Sequence, residues 1–175
     1  MSLTPATNKQ LPDHAILDYF NKQIYLGNGF SVPQSLALSG TSENLLYLVQ
    51  NPVTSTSFPS SYKSLFLNLR KYLTTLQNVV IKIYQAGVVA TVSTASTAQN
   101  LRPASSNASI AGVYVNGQFT MTSNGTLMSE LGVTPSAPLD DSMLVIVDPG
   151  QSILITATAL VTTTTVQSTV SWYEL

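Results

Sequence analysis

The chain has 175 residues, a length that favours one domain with its own hydrophobic core. Hydrophobic residues make up 44% of it, but only 9% are Asp, Glu, Lys or Arg, against about 25% in ordinary soluble domains. The net charge of -1 argues against a nucleic-acid partner, which needs a basic face, and against a polybasic membrane anchor. No run of about 18 apolar residues is present, so we expect no membrane insertion. Without cysteine, disulfides, thiolate nucleophiles and cysteine-ligated metals are excluded.

A helical pattern occupies Leu11 to Leu26, ahead of the first strand pattern. Its apolar positions recur at spacings of three and four, at Ile16, Tyr19, Phe20 and Ile24. Gly27-Asn28-Gly29 ends the pattern. We therefore predict an N-terminal arm over residues 1–29 that contains a short amphipathic helix. We interpret its apolar stripe as packing against its own domain, and docking on a neighbouring subunit is the alternative.

From residue 30 onward the pattern changes to the two-residue period of β-strands. The predicted strands are Gln34 to Ser39, Asn44 to Gln50, Tyr62 to Leu73, Val79 to Gln85, Ala108 to Asn116, Ser142 to Val147, Ser152 to Leu160 and Thr165 to Glu174. Turn sequences such as Asn116-Gly117 and Asp148-Pro149-Gly150 separate them. We predict an all-β domain over residues 30–175. It is an antiparallel β-sandwich, jelly-roll-like, of about eight strands, preceded by the short N-terminal helix.

The C-terminal third has the clearest alternation. Val166, Val170 and Trp172 share one face of the last strand, so we expect Trp172 in the core and not at a ligand-binding surface. We also predict that the last two strands pair as a hairpin across residues 161–164. The strand before them joins through Asp148-Pro149-Gly150, which would make a three-stranded meander.

Charge is nearly absent from two long stretches of the strand-rich region. Arg102 is the only charged residue from Ile83 to Ser129, and none lies from Pro149 to Tyr173. Exposed edge strands are normally protected by lysine or proline, so uncharged strand surfaces are explained if they are buried against other chains. We therefore expect a homo-oligomer. The alternative is a protein kept soluble by its hydroxyl side chains alone.

Few residues have the types and spacing that chemistry needs. His14 is the only histidine, and one histidine cannot supply the ligands usual in zinc sites. Asp140-Asp141, followed by Asp148, lacks the spacing of a calcium loop, and we interpret the pair as a solvated turn. We predict no enzyme activity, no catalytic or metal-binding residues and no cofactor.

One basic cluster is interleaved with tyrosines, on two strands that could be neighbours. It contains Lys63, Arg70, Lys71 and Lys82, together with Tyr62, Tyr72 and Tyr84. Aromatic faces and cations in this mixture can bind ligands by stacking and charge, although an ordinary strand face has the same composition. The candidate ligand or interface contacts are therefore Tyr62, Tyr72, Tyr84 and Arg70.

Between Leu45 and Leu175 a series of short motifs follows one another. They are Leu46-Tyr47-Leu48-Val49-Gln50-Asn51-Pro52, Tyr62-Lys63-Ser64-Leu65-Phe66-Leu67, Val80-Ile81-Lys82-Ile83-Tyr84, Asn100-Leu101-Arg102 with Ser105-Ser106-Asn107-Ala108-Ser109, Gly125-Thr126-Leu127, Pro149-Gly150, and Val170-Ser171-Trp172-Tyr173-Glu174. In this order they resemble the β-sandwich domain of a family of tailed-phage and prophage virion proteins. Residues 1–26 lie outside the resemblance.

The resemblance implies a non-catalytic structural protein of the virion, which acts through self-assembly as a capsid-accessory, fibre or appendage module. It implies a homo-oligomer, with a trimer favoured, and other virion proteins as partners. The localisation it implies is the virion, or the bacterial cytoplasm for a prophage product before assembly. It brings no active-site residues. The alternative is a lectin-like, carbohydrate-binding β-sandwich module whose partner is a host or surface glycan.

Overall fold

A computed structural model describes residue 19 and residues 21–38, 40–52, 63–85, 87–135 and 137–175. Within them, Tyr19 and residues 21–25 are helical, and thirteen strands follow. The strands are β1 (Gly29–Leu38), β2 (Asn44–Gln50), β3 (Leu65–Thr74), β4 (Val79–Gln85), β5 (Val88–Val92), β6 (Gln99–Asn100), β7 (Gly112–Val115), β8 (Phe119–Ser123), β9 (Thr126–Val133), β10 (Leu139–Asp141), β11 (Val145–Val147), β12 (Ser152–Ala159) and β13 (Thr164–Glu174).

Two antiparallel sheets form the body of the protein. The first has the order β10-β3-β13-β1-β6, with β11 also paired to β3, and the second has the order β7-β2-β12-β4-β9. The pairs β1–β13, β2–β12, β3–β10/β11 and β4–β9 are nested in sequence and alternate between the two sheets. Such a wrapped set of antiparallel pairs is the jelly-roll arrangement of a β-sandwich. The predicted fold class is confirmed.

The core lies between the two sheets and is built from the inward residues of their strands. Trp172 on β13 is 0% exposed and stacks against Phe30 of the neighbouring β1, with 6.0 Å between the ring centroids. Its predicted place in the core is confirmed. Tyr47 reaches across from β2, and its hydroxyl donates to the carbonyls of Val32 and Ser168 at 3.2 and 3.0 Å. This buried hydroxyl therefore links the second sheet to two strands of the first.

A third layer covers part of the outer face of the second sheet. Strands β5 and β8 pair only with each other in the described part of the chain, and Phe119 of β8 packs against outward side chains of the sheet. The resulting small cluster contains Leu48, Tyr84, Phe119 and Leu154. Leu154 breaks the alternation of β12 because that strand is covered on both faces.

The predicted C-terminal meander is wrong. Strand β12 lies between β2 and β4 in the second sheet, while β13 lies between β3 and β1 in the first. Strand β11 pairs with β3 and not with β12. The turn at Asp148 is present, with the amide of Gln151 donating to its carbonyl at 2.9 Å, but it carries the chain from one sheet to the other.

All eight predicted strands overlap observed ones, but β5, β6, β8, β9 and β10 were not predicted. The bounds also differ, because β1 begins five residues before its predicted start at Gln34 and β7 covers only the centre of its predicted segment. Strands β6 and β10 are too short to show alternation, β5 has apolar residues at successive positions, and β8 alternates over only four residues. In β9 a bulge opposite Ile83 and Tyr84 interrupts the alternation, so that Leu127 and Met128 are both exposed.

The described part of the N-terminal helix contacts the sandwich of its own chain. The Tyr19 ring meets the Tyr173 ring edge to face, with centroids 5.9 Å apart, and Tyr173 stacks on Phe66 of the first sheet. Residues 11–18 of the predicted helix, His14 among them, lie outside the described residues. No helix within the described ranges is both long enough and apolar enough to cross a bilayer.

Candidate functional site

Two of the four candidate contact residues lie inside the sandwich. Arg70 and Tyr72 project from the inner face of β3 and are 0% and 1% exposed. The Arg70 Nε and Nη2 atoms lie 2.9 and 2.8 Å from Asp141 Oδ2, and Nη2 also donates to the Met143 carbonyl at 2.7 Å. Neither Arg70 nor Tyr72 therefore offers a ligand or a partner a surface to contact.

Asp141 is not in a solvated turn. It lies in β10, opposite Arg70 in the register of β3, and its side chain is 9% exposed. Its neighbour Asp140 points outward to Lys71, at 3.8 Å, and both of these side chains are more than half exposed. The turn interpretation was wrong because the segment pairs with β3 and buries one carboxylate of the two.

The inner face of β3 continues as a row of polar groups. Arg70 Nη1, the Tyr72 hydroxyl and Thr74 Oγ1 are buried and have no hydrogen-bond partner among the described residues. Burial raises the pKa of Tyr72 strongly, and the positive charge of Arg70 only partly offsets it. The row is therefore an enclosed part of the core, in which Arg70 is paired with Asp141 and Tyr72 and Thr74 are uncharged.

Tyr84, the third candidate, takes part in a polar network on the outer face of the second sheet. Its hydroxyl donates to Glu43 Oε1 at 2.8 Å, and the same oxygen accepts a hydrogen bond from Thr156 Oγ1. Burial raises the pKa of Tyr84, and the hydrogen bond to Glu43 adds to the effect. Since Tyr84 is 9% exposed and packs in the cluster under β8, its ring face is not open to a ligand.

The predicted basic cluster is divided between the sheets. Arg70 and Lys71 lie on β3 in the first sheet, whereas Lys82 lies on β4 in the second and faces Glu130 at 3.9 Å. The expectation that these strands are neighbours was wrong, because β3 and β4 are consecutive in sequence but belong to opposite sheets. Tyr62, the fourth candidate contact, lies outside the described residues.

The outer edge of the second sheet is open at β9. This strand has eight residues, pairs with β4 on one side, and has no strand on its other side in the described part of the chain. Leu127 and Met128 on it are 48% and 43% exposed, and Glu130 is its only charged residue. Sequence reasoning missed this surface, although the Gly125-Thr126-Leu127 motif marks where the strand begins.

A second exposed apolar group lies where two turns meet at one end of the sandwich. Leu76 follows β3, and Leu160 and Val161 follow β12. They are 73%, 51% and 70% exposed and border a shallow groove of about 380 Å³ together with Pro135. This end and the β9 edge are two exposed apolar surfaces of the described ranges.

No cluster of three or more His, Cys, Asp or Glu side chains suited to a metal ion occurs within the described ranges. No protein-family model matches the sequence, and no curated protein is significantly similar to it. The fold and the surfaces define the protein as a jelly-roll β-sandwich with an open sheet edge. The resemblance to virion proteins is carried by its ordered motifs alone.

Proposed function

We propose that the protein is a non-catalytic structural module that acts through self-assembly, as a capsid-accessory, fibre or appendage part of a phage or prophage virion. The open β9 edge is the observation that carries the self-assembly in this proposal, and the virion setting rests on the resemblance of the ordered motifs. In the described part of the chain no strand pairs with the outer backbone donors and acceptors of β9, which leaves them to a strand of a second chain. Edge strands of monomeric proteins are usually protected by charged side chains, proline, bulges or a covering loop. Strand β9 has neither lysine nor proline, Glu130 is its one charged residue, and its bulge is confined to the segment opposite Ile83 and Tyr84.

The distribution of charge supports the same proposal in one of the two stretches where charge is nearly absent. The stretch from Pro149 to Tyr173 forms β12 and β13, the central strands of the two sheets, so burial in its own core explains its lack of charge. The other stretch is different. From residue 88 to residue 129 only Val113 and Phe119 are buried, so a long surface whose one charged residue is Arg102 stays exposed or half-buried in the single chain.

The symmetry of the assembly follows from which edges meet. Pairing of β9 with β9 of a second copy would close as a twofold dimer, because such a contact uses the same surface on both subunits. The trimer that the resemblance favours needs a heterologous contact, with β9 of one copy against a different surface of the next. A ring of three closes if that contact relates neighbouring copies by a rotation of one third of a circle.

Light scattering coupled to size exclusion tests the proposal. We expect a mass of three times 18.7 kDa for the protein, and a smaller mass for the double variant Leu127→Lys, Met128→Lys, whose charges would have to be desolvated in the contact. Ile146→Lys on β11, which is 48% exposed and lies outside both stretches, is the matched control. A monomer at high micromolar concentration would contradict self-assembly.

The neighbouring genes test the virion setting separately. Genes for capsid, tail or lysis proteins beside this one would support it, and a metabolic operon would contradict it.

A further inference from the structure

A cleft of about 430 Å³ lies at one end of the second sheet. The end of β2, the strand β7 and the start of β12 form its sides, and the turns at Gly87 and Gly150 close it. The volume falls within the range of about 300 to 1,000 Å³ that small-molecule sites occupy. None of the residues predicted from the sequence as contacts lines this cleft.

The side chains that line the cleft are uncharged and partly unpaired. Gln50 ends β2, Gln151 precedes β12 and Ser152 begins it. The side-chain amides of Gln50 and Gln151 and the Ser152 hydroxyl have no hydrogen-bond partner among the described residues. Two amides and a hydroxyl thus offer both donors and acceptors to a ligand, without a net charge.

Asn51 forms part of the inner wall of the cleft. It is 2% exposed, and its Nδ2 donates to the carbonyls of Lys63 and Val147 at 2.8 and 2.7 Å. These two bonds fix the orientation of the amide and leave Oδ1 buried, with no partner in the described part of the chain. Because the protein's own atoms enclose Oδ1, this oxygen is not open to a ligand. Asn51 contributes by joining the end of β2 to the turn at Gly150, whose amide donates to the Asn51 carbonyl at 2.8 Å.

Tyr114 supplies an aromatic wall. Its ring lies close over Gly112, where a Cβ would come within 3.2 Å of Cε2 and 3.3 Å of the hydroxyl oxygen. The glycine therefore allows the ring to lie against the strand, and Tyr114 remains half-exposed at the cleft. An aromatic face beside amide and hydroxyl groups matches a ligand whose surface alternates C–H faces and hydroxyl groups.

We propose that this cleft binds a neutral saccharide. Sugar hydroxyls would pair with the amides of Gln50 and Gln151 and with the Ser152 hydroxyl, and one ring would pack on Tyr114. Because no cation lines the cleft, sialylated, sulphated and phosphorylated glycans are disfavoured relative to neutral ones. The proposal is independent of self-assembly, since none of its residues belongs to the β9 edge.

The test uses the full chain on an array that carries neutral and anionic glycans, followed by calorimetric titration of the strongest neutral binder. The double variant Gln50→Ala, Gln151→Ala removes two amides that hold no other group in place, so it should fold normally. Gln167→Ala, an exposed glutamine on β13, is the matched control. The emission of the buried Trp172 shows that each variant is folded.

We expect neutral glycans to bind and the double variant to weaken their affinity by about tenfold or more, because it removes at least two hydrogen bonds. Gln167→Ala should bind as the unmodified protein does. An array without neutral binders overturns the proposal, as do binding confined to anionic glycans and an unchanged affinity in the double variant. The proposal would also be overturned if the cleft bound an extended peptide specifically through Gln50 and Gln151 in place of a glycan. A monomeric mass in the light-scattering experiment would leave it intact.

Discussion

Arg70 and Asp141 form a buried ion pair in a core made mostly of aliphatic and aromatic side chains. The pair has a matched exposed counterpart, because Lys71 and Asp140 occupy the next positions of the same two strands. Desolvation makes a buried charge costly once its partner is removed, whereas an exposed pair contributes little. The two pairs therefore separate the effect of burial from the effect of charge.

Replacing Arg70 should destabilise the protein much more than replacing Lys71. We expect Arg70→Met to lower the free energy of unfolding by about 3 to 5 kcal/mol, since it leaves the Asp141 carboxylate uncompensated. Lys71→Met should change it by less than about 1 kcal/mol. Urea unfolding of both variants measures the difference. Equal stability of the two variants would contradict the structural role of the buried pair.

Buried tyrosines make the stability sensitive to alkaline pH. Desolvation raises the pKa of Tyr47 to about 12, and the hydrogen bond from Ser168 lowers it by less. An unfolded chain loses this proton near pH 10, about two units earlier. The stabilisation is therefore complete below about pH 10 and is lost as the pH rises through the raised pKa of the folded state.

We expect the free energy of unfolding to fall with pH above about pH 10, and to fall less steeply in Tyr47→Phe. The same variant should be less stable at neutral pH by about 1 to 3 kcal/mol, because the carbonyls of Val32 and Ser168 lose their buried donor. Tyr25→Phe, at a side chain that is 73% exposed, is the control and should keep the original slope. Urea unfolding of the protein and both variants at a series of pH values measures these slopes. An unchanged slope in Tyr47→Phe would show that other groups govern the alkaline transition.

At the scale of elements, the strands of the three layers differ in how many neighbouring strands they pair with and in how deeply they are buried. Strands β12 and β13 each have a strand on both sides and are buried along most of their length. In the part of the chain that the structure describes, β5 and β8 pair only with each other, and four of the five residues of β5 are exposed. Local opening needs the least free energy where backbone hydrogen bonds are exposed and apolar contacts are few.

Hydrogen exchange should follow this order. We expect the amides of β12 and β13 to be the slowest to exchange, and those of β5 and β8 to exchange much faster through local opening. Exchange followed by mass spectrometry on proteolytic peptides resolves these segments. Equal protection of β5 and β12 would mean that the third layer unfolds only together with the sandwich.

At the scale of the whole molecule, the nested pairing ties distant parts of the chain together. The first strand pairs with the last over ten residues, from Gly29 with Tyr173 to Leu38 with Thr164. The consecutive strands β1 to β4 alternate between the two sheets, as do β11 to β13, which divides the predicted basic cluster and separates the last two strands. Surfaces that look continuous along the sequence are therefore distributed over several sides of the molecule.

The sequence by itself determined the fold class and the inward face of the strands with the clearest alternation. Alternation is a local property, because successive side chains of a strand point to opposite sides, and it correctly placed Trp172 in the core. It could not show which strands pair, since pairing depends on where each connection carries the chain. Only the tertiary structure buried Arg70 against Asp141, covered Tyr84 with β8, and brought Asn51, Tyr114 and Gln151 to one cleft. These contacts join residues far apart in sequence, so their geometry exists only after both sheets have formed.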